Sequence, residues 1–161
     1  MKPLIAFAVL LCSSLPFQPS MAQTRASANR TAPPGASDID TRITLDSLLV
    51  HSAQGDWAKS KAAAIEGYVV QVEREEDGDY HLVLAADANE KDASKWVITE
   101  ITPQWSKKSA SLSGAHLRAL YGKQVRVTGW LYYDSAEREP DPRGTLWEIH
   151  PVTGIEAISA K

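Results

Sequence analysis

The chain carries Ile65-Glu66-Gly67-Tyr68-Val69-Val70-Gln71-Val72 and then Glu75-Glu76-Asp77-Gly78, and this stretch decides the fold. Apolar and polar residues largely alternate in its first part, which is typical of a β-strand with one face on the core. Gly67 indicates a bend or a close backbone approach. Asp77-Gly78 is a strong signal for a hairpin turn, and residues Tyr80 to Ala85 supply the returning strand. The stretch therefore predicts a β-hairpin.

Three more strands and one short helix are predicted downstream. The strands cover residues 96–101, 124–133 and, with an interruption at Pro151, 146–158. Ser113 can cap a helix that ends just before Gly122. Three strands, a helix and two strands follow the plan of a five-stranded Greek-key barrel, the OB-fold. We therefore predict an all-β, OB-fold-like barrel with a short helix between strands three and four. Another small β-barrel or a sandwich is the alternative.

The N-terminus has the pattern of an export signal. Lys2 precedes an apolar run, Leu4 to Leu11, that is too short to span a bilayer. Ser20-Met21-Ala22 has the small residues of a cleavage site. Residues 1–22 are therefore a predicted signal peptide. The mature chain should begin at Gln23, in the periplasm or outside the cell.

The rest of the chain divides into a tether and one domain. Residues 23–42 are rich in Ser, Thr, Ala, Pro and Asn and lack apolar periodicity, which predicts a disordered tether. Residues 43–161 form the predicted barrel domain, which opens with a short helix in the run from Ile43 to Val50. No segment after the predicted signal is apolar and long enough for a membrane helix.

The charge of the chain bears on its partners. The formal net charge is −3, and the basic pair Lys107-Lys108 is not part of a longer basic run. Binding to nucleic-acid phosphates draws on a basic surface that releases counterions. We therefore predict an oligosaccharide, a peptide or an exported protein as the partner, and we expect the chain to disfavour duplex DNA.

Two short motifs each place an acid and a histidine two residues apart. Asp79-x-His81 and Glu148-x-His150 lie in or beside predicted strands, where residues i and i+2 point to the same face. Imidazole and carboxylate groups suit zinc, manganese or iron. A divalent metal is therefore the candidate cofactor, with His81, Glu100 and His150 as predicted ligands. Asp79 and Glu148 would orient the imidazoles from outside the ligand set.

The same residues have a structural alternative. His150 stands directly before Pro151, which has no backbone N–H, so its imidazole could bond a carbonyl group and pin the strand end. Asp79 could cap the hairpin turn. Acid–base chemistry without a metal is a further alternative for the same groups.

A second candidate site is one face of the fourth strand. Arg126, Trp130 and Tyr132 alternate there with apolar residues whose side chains would fill the barrel. Aromatic side chains on an exposed strand face can stack on bases or sugars, and Arg126 adds one cation. We predict a ligand-binding face from these three residues. In the alternative, the N-terminal segment or the long loop after Tyr133 covers the two rings.

Five motifs stand out between Ala58 and Ile158, and they are Glu66-Gly67-Tyr68-Val69-Val70, Asp79-x-His81, Val97-Ile98-Thr99-Glu100-Ile101-Thr102-Pro103, Val125-Arg126-Val127-Thr128-Gly129-Trp130-Leu131 and Trp147-Glu148-Ile149-His150-Pro151-Val152-Thr153-x-Ile155-Glu156. With them the chain resembles a family of small, uncharacterised bacterial proteins. The resemblance implies one compact, OB-fold-like β domain and implies no activity. Members often carry an acid–histidine pair after the fourth strand, whereas residues 134–138 of this chain contain no histidine.

Two functions follow as hypotheses. The first is an exported, non-catalytic binding or interaction module of OB-fold type, because no strong catalytic signature such as Gly-x-Ser-x-Gly is present. The second is a metal-dependent hydrolase centred on His81 and His150, with Glu100 as a third ligand or as the general base.

Overall fold

The computed structural model describes residues 30–135 and 143–159. The predicted signal peptide therefore lies outside the described residues. Five strands form the domain: β1 Ala62–Arg74, β2 Tyr80–Ala85, β3 Val97–Ile101, β4 Gln124–Tyr133 and β5 Trp147–Ala157. Three short helices accompany them: α1 Leu45–Val50, α2 Pro103–Lys108 and α3 Gly114–Arg118. Within the described residues, no helix is long and apolar enough to cross a membrane.

The strands close into a barrel in the order β1-β2-β3-β5-β4, with β4 returning to β1. All neighbouring strands are antiparallel except β3 and β5, which run parallel. The short helices α2 and α3 lie between β3 and β4 in the chain, and Ser113 caps α3 as its sequence predicts. This is the OB-fold topology, and the predicted fold class is confirmed.

The alternation of each strand divides its side chains between the barrel interior and the outer face. Leu82 and Leu84 of β2 and Val97 and Ile101 of β3 belong to the interior core and are fully buried. Val83 of β2 and Ile98 and Glu100 of β3 therefore point outward. Part of that outer face is apolar and forms a second buried cluster of Val70, Val83, Ala85 and Ile98. The polar residues of interest lie on the same outer face, further along β2 and β3.

The strands β4 and β5 meet at a bulge that the sequence did not predict. Gly129 pairs with Val152 and Leu131 with Ile149, so one residue of β4 faces two residues of β5, one of which is Pro151. A side chain on Gly129 would place its Cβ 2.5 Å from the Pro151 carbonyl oxygen, so only glycine permits this approach. The bulge also explains why β5 runs unbroken through Pro151, since a bulge tolerates the missing N–H.

The segment before α1 packs on the barrel. The indole N–H groups of Trp105 and Trp130 donate to the carbonyl oxygens of Arg30 and Ala32, each over 2.9 Å. Ile39 then forms a parallel bridge with Ala62 at the start of β1. For residues 30–42, this differs from the disordered tether that we predicted. The reason is that buried indole groups need acceptors, and this segment provides them.

Candidate metal centre

Three titratable side chains form a row across the outer face of the barrel. His81 of β2 is the direct cross-strand partner of Glu100 on β3. Thr99 pairs with Ile149 in the parallel β3–β5 ladder, so the next residues along, Glu100 and His150, lie side by side. Asp79 precedes β2 by one residue. The row lies beside the β1–β2 hairpin on the outer face of β2 and β3, where OB-folds generally bind their ligands.

Imidazole and carboxylate groups alternate along this row. Glu100 Oε1 lies 2.9 Å from His81 Nε2, and its other oxygen, Oε2, lies 2.9 Å from His150 Nδ1. The far nitrogen of His150, Nε2, is 3.9 Å from Asp79 Oδ2, and His81 Nδ1 is 3.6 Å from Glu75 Oε1. The side chains of His81, Glu100, His150 and Asp79 are only 11–17% exposed. Glu100 is therefore held between two imidazoles in a largely desolvated setting.

Asp79, Glu100 and His150 converge as metal ligands should. Each offers one ligand atom, and these atoms all lie within 4.8 Å of one another. Ligands that bond a zinc ion at about 2.0–2.2 Å must come closer together than that, so an ion requires a modest contraction of the three side chains. Although His150 Nδ1 is 2.9 Å from Glu100, among the described residues it has no aligned hydrogen-bond partner. Its lone pair or proton is therefore not committed to that carboxylate.

The two carboxylates of the set have opposite electrostatic environments. Burial raises the pKa of Asp79 to about 6, and the neighbouring charge of Asp77 adds to the shift. Burial also acts to raise the pKa of Glu100, but the adjacent imidazoles of His150 and His81 outweigh it and hold that pKa well below its usual range. Glu100 is therefore ionised at neutral pH. For His81, burial lowers the pKa, whereas the hydrogen bond and charge of Glu100 raise it more, so its pKa is raised on balance.

Glu148 lies beside this row but is bound to a different partner. Its side chain is fully buried on the outer face of β5 and forms an ion pair with Arg143, whose side chain is 3% exposed. Burial, followed by the charge of Glu100, raises the pKa of Glu148 well above its usual range, and Arg143 opposes that shift. Gly144, the residue after Arg143, holds the backbone here in place, because its N–H donates to the Trp96 carbonyl oxygen. A Cβ at this position would overlap the Ser94 backbone.

The ligand set in the structure differs from the set that the sequence predicts. His81, Glu100 and His150 do come together, but the convergent set consists of Asp79, Glu100 and His150. His81 contacts the opposite oxygen of Glu100. Glu148 contacts Arg143 and does not belong to the convergent ligand set. Arg143 was missed, because an arginine in a long polar loop carries no local signal that it is buried.

The predicted ligand-binding face on β4 is not an open surface. Trp130 is 7% exposed, and the Arg30 guanidinium lies 3.8 Å from the centre of its ring. Arg126 pairs with Glu66 of β1. Tyr132 packs edge-on against the His150 ring, with 5.5 Å between the ring centres. The N-terminal segment covers Trp130, which is the alternative that the sequence left open, and Tyr132 lies against the candidate metal centre.

Comparisons with known proteins are limited to remote structural likeness. No family model and no curated protein matches the chain. The chain is similar to the S. pombe Stn1-Ten1 complex, with 16% identity, a TM-score of 0.41 and coverage of 62% of this chain and 60% of that one. It is also similar to asparaginyl-tRNA synthetase of Entamoeba histolytica, with 14% identity, a TM-score of 0.42 and coverage of 63% and 21%. A putative aspartyl-tRNA synthetase of Leishmania major Friedlin gives 11% identity, a TM-score of 0.43 and coverage of 84% and 22%.

These comparisons correct one expectation. We predicted an oligosaccharide, a peptide or an exported protein as the partner and a chain that disfavours duplex DNA. The structures that the chain is similar to, a Stn1-Ten1 complex and tRNA synthetases, do not support that prediction. The chain spans less than two thirds of each of these structures, and likeness at such low identity concerns the fold alone.

Proposed function

We propose that this protein is an OB-fold module that binds one divalent transition-metal ion at Asp79, Glu100 and His150. One observation carries the proposal: three ligand atoms, brought together from the β1–β2 hairpin, β3 and β5, lie within 4.8 Å of one another. Their position on the β2–β3 side of the barrel is the usual ligand position of this fold. Two carboxylates and one imidazole suit Mn²⁺, Fe²⁺ or Zn²⁺.

The charge of the set supports a cation. Asp79 and Glu100 bring two carboxylates together in a site whose side chains are less than a fifth exposed. Burying two like charges is unfavourable unless a counter-charge is present. A divalent ion would supply that charge and would favour the ionised form of Asp79.

The arrangement favours binding over hydrolysis at this ion. A hydrolytic centre needs an open ligand position for water and a base that can take its proton. Glu100 was the candidate base, but in the proposed site it is itself one of the three ligands of the ion. We therefore infer a non-catalytic role for the ion, which holds the hairpin, β3 and β5 together or presents a coordination position to a ligand.

A metal titration of chelator-stripped mature protein tests the site. Isothermal titration with Mn²⁺ and Zn²⁺, checked by elemental analysis, is expected to give one equivalent per chain. When the free ion exceeds its Kd by 100-fold, the free energy of unfolding should rise by about 2.7 kcal/mol. His150→Ala and Glu100→Ala should each abolish this binding, because each removes a ligand atom.

His116→Ala is the matched control, because His116 is an exposed histidine on α3 that does not belong to the convergent set. It should bind one equivalent with unchanged affinity. Either an ion-free native protein that does not respond to added metal or a His150→Ala variant that binds like wild type would exclude the site.

We also propose that the protein is exported. The support is the sequence of the N-terminus, with Lys2, the apolar run Leu4 to Leu11 and small residues up to Ala22. Expression of the full chain in a Gram-negative host should release a mature form into the periplasm, and its N-terminal sequencing should start at Gln23. Recovery of the uncut chain in the cytoplasm alone would contradict export.

A further inference from the structure

His81 is the histidine of the cluster that does not belong to the convergent set. It lies on β2 directly opposite Glu100, with which it is paired across the β2–β3 ladder. Its side chain is 17% exposed, so its position is fixed by its neighbours and not by solvent. The sequence predicted it to be a metal ligand, and the structure gives it a different set of contacts.

Both ring nitrogens of His81 face carboxylates. Nε2 is 2.9 Å from Glu100 Oε1, and Nδ1 on the other side of the ring is 3.6 Å from Glu75 Oε1. An imidazole binds a metal through a nitrogen whose lone pair is free. A ring with Nε2–H aimed at Glu100 has no such nitrogen directed at the convergent atoms of Asp79, Glu100 and His150.

The contact with His81 leaves the other oxygen of Glu100 for the ion. Oε1 lies 2.9 Å from His81 Nε2, while Oε2 is on the side of His150, at 2.9 Å from Nδ1. When one oxygen of a carboxylate is held by a neighbour, the direction of the second oxygen is also fixed. Such a carboxylate loses less conformational freedom on binding a metal than a freely rotating one. Glu75 supports the ring from the opposite side, although this carboxylate is more exposed at 39%.

We propose that His81 is a positioning residue of the metal site, which holds Glu100 through Oε1 so that Oε2 faces the ion. The proposal rests on the proposed function, since it concerns the same site. Hydrogen-bond partners of metal ligands typically change metal affinity by about 10–100-fold when they are removed. His81→Ala should therefore keep one equivalent of Mn²⁺ per chain and raise its Kd by about 10–100-fold.

Glutamine at this position separates positioning from a merely structural role. Its side-chain amide can place an N–H donor close to where the imidazole Nε2–H lies. His81→Gln should therefore recover most of the Mn²⁺ affinity that His81→Ala loses. His150→Ala provides the contrast, since it should no longer bind the one equivalent of Mn²⁺. His116→Ala should change neither the stoichiometry nor the Kd.

The experiment measures Mn²⁺ stoichiometry and Kd by isothermal titration on the full mature chain, with circular dichroism and melting temperature to show that each variant is folded. Loss of the equivalent in a folded His81→Ala protein would make His81 a ligand and overturn the proposal. Unchanged Kd in His81→Ala, or a folded His81→Gln protein as weak as His81→Ala, would also overturn it. Wild-type protein that binds neither Mn²⁺ nor Zn²⁺ would instead reject the proposed function, so the two failures are distinguishable.

Discussion

Replacing Arg143 with methionine is expected to destabilise the protein by about 3–5 kcal/mol. The Arg143 side chain is 3% exposed and its partner Glu148 is fully buried, so the variant leaves a desolvated carboxyl group that must either stay charged without its cation or take up a proton. One oxygen of Glu148, Oε2, already lacks a hydrogen-bond partner among the described residues, which leaves little to compensate the loss. Domains of this size have total stabilities of about 5–15 kcal/mol, so the loss is a large fraction of the whole.

Urea unfolding followed by circular dichroism measures this effect. Arg126→Met is the matched control, because it also removes an arginine–carboxylate pair, Arg126–Glu66, but one whose side chains are 51% and 43% exposed. Exposed pairs contribute little, so the control should unfold near the wild-type midpoint.

A double variant distinguishes the ion pair from the arginine itself. Arg143→Met combined with Glu148→Leu should recover most of the stability, since an apolar pair of similar volume avoids the buried charge. Equal midpoints for Arg143→Met and Arg126→Met would show that burial of the Arg143–Glu148 pair has no energetic consequence.

Replacing Trp130 with alanine is the second large effect, and we expect it to cost about 3–5 kcal/mol. The indole is buried under the Arg30 guanidinium and donates its N–H to the Ala32 carbonyl oxygen over 2.9 Å. Alanine removes the ring, its hydrogen bond and its cation–π contact together. The segment from Arg30 to Ala32 should then detach from this part of the barrel, although Trp105 still binds the Arg30 carbonyl.

Two measurements on Trp130 variants test this account. Urea unfolding gives the loss of stability, and hydrogen exchange at residues 30–32 reports whether the segment detaches. Trp130→Phe is the control, because it keeps a ring under Arg30 and loses only the N–H donor, at a cost of about 0.5–1.5 kcal/mol. If alanine and phenylalanine cost the same, or if exchange at residues 30–32 does not change, the packing of the segment does not depend on Trp130.

Several parts of the fold could be predicted because their signals are local. The alternation of residues 65–72 and the turn Asp77-Gly78 predict the β1–β2 hairpin, since both signals act over a few residues. Ser113 predicts the start of α3 for the same reason. The two motifs Asp79-x-His81 and Glu148-x-His150 also gave the correct residue types for a polar cluster.

The bulge between β4 and β5 could not be predicted in this way. From the sequence alone, Pro151 predicts an interruption of the last strand, because proline cannot donate to a ladder. Whether a strand breaks or bulges at such a residue depends on its neighbour, and here Gly129 on β4 leaves the space that a bulge requires. That information is absent from the residues around Pro151.

By itself, the sequence determined the number of strands, the hairpin and the faces on which the candidate ligands stand, because period and turn chemistry are properties of short segments. The tertiary structure alone decided that β3 lies between β2 and β5, which places Glu100 between His81 and His150. It also decided that the Trp130 indole binds a carbonyl group 98 residues away in the chain. The period of a strand fixes which side of the sheet a residue faces, but only the packing of distant segments fixes what it meets there.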